Sequence, residues 1–114
     1  MDELTNEAKY LLSMMYKDYL QKRKSGVNRS TSLKFGNLDE LHETVMPEWS
    51  IEDVKSVCWE LMRHNMISAK NASSKIQHIS LNTEAIAMLE TTFKDKVDIV
   101  LDYAVKIKSL IPFI

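Results

Sequence analysis

Glycine is nearly missing from this chain: two among 114 residues, alongside two prolines and a single cysteine. So few turn formers exclude a collagen-like chain, a flexible linker or a turn-rich all-β fold, and leave helices joined by few tight turns. Cys58 alone cannot cross-link the chain to itself, which fits a reducing, cytoplasmic setting. No apolar run approaches the roughly 20 residues that span a bilayer, and Met1-Asp2-Glu3 opens unlike a secretory leader, so no membrane association is expected. Charge of one sign is missing too. The 15 basic and 16 acidic residues nearly cancel, unlike a protein that coats polyanions non-specifically. What is present is 45% hydrophobic residues in a chain of one domain's length, enough for a single apolar core.

The charge is banded. Between Asp18 and Asp39 there is no acid, while Lys22, Arg23, Lys24, Arg29 and Lys34 are all positive. From Asp39 to Glu60 seven acids face one base, Lys55. Residues 61 to 83 again lack acids and carry Arg63, Lys70 and Lys75 with His64 and His78.

Apolar periodicity divides the chain. Leu4, Ala8, Leu11, Leu12, Met15, Tyr19 and Leu20 keep helical spacing, with Thr5 at the start and Lys22-Arg23-Lys24 suited to the C-terminal dipole before Ser25-Gly26. Residues 27–36 form a polar link in which Leu33 and Phe35 alternate around Lys34, compatible with a very short strand or a plain loop. Asn37 and Glu40 form a capping-box pattern for a short helix that Pro47 ends. Ser50 caps a third helix burying Ile51, Val54, Val57, Cys58, Leu61 and Met62, which Asn65 closes in the left-handed conformation. A β-hairpin is expected over 67–70 and 75–81, with Ile76, His78 and Ser80 alternating against Lys75, Gln77 and Ile79. From residues 82–84 to Leu110, Ile86, Leu89, Phe93, Val97, Val100, Ala104, Ile107 and Ile111 recur at three and four residues, near a heptad seam. Such a helix, roughly 40 Å long, must bend near Thr91-Thr92 or overhang the body.

The order helix, extended link, helix, helix, hairpin, helix resembles the winged helix-turn-helix superfamily over residues 5 to 90. The stretch WSIEDVKSVCWELMRHNMI looks like its turn, recognition helix and wing entry, and HISLNTEAIAMLE like the exit strand running into the next helix. The tail KIKSLIPFI is similar to small bacterial and prophage winged-helix proteins of the YjcQ-like kind; Asn65 departs from the glycine many members carry at the wing entry. The expected class is therefore mainly α with a small β-hairpin wing: a winged-helix body at 1–82 and a C-terminal helix at 83–114 within the same domain.

The resemblance implies a DNA-binding, transcription-regulatory module with the third helix in the major groove and the wing on backbone. Phosphate candidates are Lys22, Arg23, Lys24, Arg29, Lys34, Arg63, Lys70 and Lys75. Helical projection, however, turns Glu52, Asp53, Ser56, Glu60 and Arg63 outward, three of the five acidic, with Trp59 at the edge, and DNA carries one charge per ~1.7 Å of axis. Acids there oppose groove entry. The alternative is a docking adaptor in which Glu52, Asp53, Ser56, Trp59 and Glu60 meet a basic protein partner. Both readings stay open at this point.

No glycine-rich phosphate loop, nucleophile elbow or metal-ligand spacing is present, so neither catalysis, a cofactor nor a metal is expected. Cys58 falls on the apolar stripe and reads as a small buried hydrophobe. Apolar residues continue to Ile111, Pro112, Phe113 and Ile114. Two destinations exist for this seam: a homodimer through Val97, Val100, Ala104, Ile107 and Ile111, which is the expectation, or the first helix of the same chain.

Overall fold

Thr5 starts the first helix by accepting the Ala8 N–H at 3.3 Å, and α1 runs Asn6–Lys24. Beyond the expected stripe it also buries Tyr10, Ser13 and Tyr16, so that hidden residues extend nearly all round it. Ser13, fully buried, returns its hydroxyl to the Lys9 carbonyl at 2.7 Å, which leaves it no unmet donor. The computed structural model describes residues 1–73, 75–94 and 96–112; Ser74 of the hairpin tip and Phe113 and Ile114 of the apolar terminus lie outside them.

The polar link divides into α2 (Arg29–Ser32), capped by the Asn28 side chain, and β1 (Lys34–Gly36). The Asn37 capping box then opens α3 (Leu38–Val45): the Glu40 N–H donates to Asn37 Oδ1 at 2.9 Å and the Asn37 N–H to Glu40 Oε1 at 3.3 Å. Ser50 accepts the Asp53 N–H at 3.1 Å and starts α4 (Ile51–Arg63). Asn65 takes φ of 59°, reversing the chain into β2 (Ile67–Ala72) and β3 (Lys75–Leu81). Asn82 ties this turn to the hairpin base: its amide donates to the Asn65 carbonyl at 2.9 Å, and Ser68 Oγ donates to its side-chain oxygen.

The three strands form an antiparallel sheet in the order β1-β3-β2. The expected alternation in the hairpin holds as far as Gln77 and then changes phase. His78 adopts φ of 54°, and Gln77 and Ser80 pair with Lys70 and Ser68, so three steps on β3 match two on β2. This is a β-bulge. It lets Ile76, Ile79 and Leu81 all face the core, whereas unbroken alternation would have put Ile79 outside.

The long C-terminal helix is corrected to two. α5 (Thr83–Phe93) ends where Lys94 turns left-handed at φ of 50°, and α6 (Val97–Lys108) returns along α1. Thr91 and Thr92 stay inside α5, each hydroxyl bonded to the carbonyl four residues back. An unbroken helix would exceed the molecule's greatest extent of 38 Å. Phe93 seals the corner, 6.1 Å from the Tyr16 ring and 5.2 Å from Tyr103 in an edge-on contact. Among the described residues the fold is thus mainly helical with one small antiparallel sheet, and no helix is long and apolar enough to cross a membrane.

Gly36 is the joint between β1 and the α3 cap. Its φ is +78°, and a Cβ there would lie 2.6 Å from Glu40 Cδ. Gly36→Ala is expected to lower unfolding free energy by ~1–3 kcal/mol, combining left-handed strain with a displaced capping carboxylate. Urea unfolding of the two chains checks it; unchanged stability would contradict this role for Gly36.

Candidate nucleic-acid interface

Cross-strand partners share a sheet face. Lys34 pairs with Ser80, Ser80 with Ser68, Gln77 with Lys70, and Lys75 with Ala72, while Ile76, Ile79 and Leu81 occupy the opposite, buried face. The outward face therefore gathers Lys34, Lys70 and Lys75, with Gln77, Ser68 and Ser80 between them, and no strand supplies an acid. Lys34 and Lys70 flank the central strand, two strand spacings apart across the sheet and offset by two residues along β2. His78, exposed at the bulge, shares a cleft of about 200 Å³ with Lys34, Gly36, Ile79 and Ser80.

A second cleft, about 240 Å³, joins the hairpin to the helices: Lys75, Ile76 and Gln77 line it with Asn37, Leu38, Asp39 and Lys55. Lys55 was no candidate in the sequence because it sits within the acidic band. Its position at i+4 from Ile51, toward the flank shared with Trp59, was the available signal.

The other basic candidates are distributed differently. Lys22 is committed: its Nζ lies 2.8 Å from Asp18 Oδ2 and 4.8 Å from the Phe35 ring centre. Arg23, Lys24 and Arg29 line a separate cleft of about 590 Å³ with Tyr19, Leu20, Gly26, Val27 and Glu90, and Arg23 donates to the Val27 carbonyl at 3.1 Å. Arg63 is exposed at the end of α4. The two basic tracts of the sequence are thus divided: Lys34 joins the hairpin lysines, and the α1 end faces Glu90.

The acidic candidates separate as well. Glu52, Asp53 and Ser56 are exposed on α4 as expected. Glu60 is not a free outward acid. Its carboxylate accepts the Thr5 N–H at 2.8 Å and the Thr5 hydroxyl at 2.7 Å, fastening the start of α1 to α4. Trp59 is half-buried against the core. Asp39 and Glu40 in the first turn of α3, and Glu52 and Asp53 in that of α4, answer the helix dipoles. Five of the seven acids in the band therefore sit at helix starts or hold one.

The expected dimer seam is corrected. Val100, Ala104, Ile107 and Ile111 are buried within the single chain and Val97 is half-buried, because α6 packs along α1. The intrachain destination takes that face.

His42 Nε2 lies 2.7 Å from the Trp49 carbonyl, and His64 is 4.0 Å from Glu3 at the surface. Among the described residues no three His, Cys, Asp or Glu side chains gather so as to hold a metal ion. Comparison of the chain with protein-family models, curated proteins and solved structures finds no match.

Cys58 is fully buried, and burial pushes its thiol from 9.0 up to about 12. The neutral thiol is the form the fold accommodates, so its contribution to stability is full below pH 9.0 and is lost as pH rises toward about 12. Iodoacetamide at mildly alkaline pH is expected to leave the native chain unmodified and to label it once urea unfolds it. Rapid labelling of the native chain would contradict the burial.

Proposed function

We propose that the protein is a winged-helix DNA-binding module of the transcription-regulatory kind, holding the phosphate backbone with the outer face of its sheet. The observation that carries this reading is the acid-free lysine face of the strands formed by Lys34, Lys70 and Lys75; Lys55 adjoins Lys75 in a cleft that also holds Asp39. The element order and the strand order β1-β3-β2 support a winged-helix layout in which β2 and β3 are the wing and α4 the third helix. Glu52 and Asp53 at the start of α4 oppose deep entry of that end into a groove. The contact is therefore one of backbone grip, with little base readout from α4.

A second reading rests on a different surface. Glu7, Asp53 and Glu60 line one cleft with Thr5, Ser56 and Val57, where a basic protein segment would find complementary charge.

Fluorescence anisotropy with a labelled DNA duplex against salt concentration separates the two. Four lysine–phosphate contacts correspond to a log–log slope of about −3 to −4, and each of Lys70→Gln and Lys75→Gln is expected to flatten it by about 1. Arg29→Gln is expected to leave the slope unchanged. Absence of binding at low salt would overturn the DNA reading and favour the acidic cleft.

A further inference from the structure

With its inner stripe spent on α1, α6 still exposes large apolar side chains: Leu101 at 38% and Val105 at 69% of their free area. At about 100° per residue these two lie within about 40° of one another, on a flank of α6 away from the buried Val100, Ala104 and Ile107. Ile99 lies on the other flank, so the Leu101–Val105 pair is a separate strip. Asp98 and Lys108, both exposed, extend it at its two ends. The strip reads Asp98, Leu101, Val105, Lys108, with steps of three, four and three residues.

That pattern is its own complement when reversed. Asp98 and Lys108 are equidistant from Tyr103, and so are Leu101 and Val105. Two copies of α6 laid antiparallel about a two-fold axis crossing the strip midway between Leu101 and Val105, level with residue 103, would place Leu101 against Val105 of the partner subunit. Asp98 would meet Lys108 of the partner subunit at each end. A parallel pairing would instead set like charges together at both ends. A two-fold contact requires this self-complementarity, and a heterologous partner would have no reason to match it.

We propose that the protein self-associates through this outer strip of α6, as an antiparallel pair with opposite charges closing a four-residue apolar centre. The strip is about 15 Å long at 1.5 Å per residue, so the contact is small and the association weak and concentration-dependent. It leaves the sheet face and the α1–α6 packing untouched, and it does not rest on the DNA reading.

Sedimentation equilibrium from low micromolar to millimolar concentration tests it, with far-UV circular dichroism confirming that each variant is folded. The wild-type chain is expected to show a monomer–dimer equilibrium that weakens with salt. Val105→Asp is expected to raise the dissociation constant at least about tenfold. Asp98→Lys alone and Lys108→Asp alone each place like charges at both ends and are expected to be monomeric over the range where wild type dimerises. Mixed in equal amounts, these two variants present opposite charges at both ends and are expected to associate again. A wild-type chain that stays monomeric at millimolar concentration would overturn the proposal. So would association that is lost with Val105→Asp yet indifferent to both charge changes, since that excludes the antiparallel register.

Discussion

Burial of α1 on nearly every side is the constraint from which the rest follows. A helix at the centre of a chain this short needs cover from more than one neighbour, and the sequence supplies it from two regions: α3 and α4 from the middle, α6 from near the C-terminus. The C-terminal segment must therefore turn back, and Lys94 is where it does so. The turn gives the heptad-like seam an intrachain partner and removes it from the surface. Glu60 completes the clamp at the opposite end, binding both the amide and the hydroxyl of Thr5.

The sheet is governed by a smaller device. The bulge at His78 shifts β3 by one residue, so that Ile76, Ile79 and Leu81 all reach the core. Without it one of the apolar residues would face water and the polar positions of the strand would turn inward. With it, every lysine of the three strands faces out. The charged surface is thus a consequence of core packing, and its lack of acids comes from the acid-free bands of the sequence.

The helices were readable from spacing and caps. Thr5, Asn37 and Ser50 each accept the backbone N–H their positions call for, and Asn65 takes its left-handed turn, because these signals act within a few residues. The hairpin was readable but its phase was not: a bulge is chosen by what lies beneath the strand, and Ile79 reveals its side only when the core is assembled. The second buried face of α1 was hidden for a related reason, since Tyr10, Ser13 and Tyr16 carry polar tips that mask their packing. Charge bands proved a partial guide to the surface. Lys34, Lys70 and Lys75 come together because strands pair, while Lys22 is held by Asp18, and Arg23, Lys24 and Arg29 turn to another cleft. The acidic band, read as a face, is in large part a set of helix starts.

On the proposed DNA-binding reading, the lysines of the outer sheet face would meet the phosphate edge of a duplex and not the bottom of its groove. The most direct measurement is a titration of the isotope-labelled chain with a short DNA duplex, followed by amide chemical shifts. Shifts concentrated at Lys34, Ser68, Lys70, Lys75, Gln77 and Ser80 are the expected result. Shifts confined to Glu52, Asp53 and Ser56, or to the Arg23–Arg29 cleft, would contradict the proposal that the sheet is the phosphate-binding face.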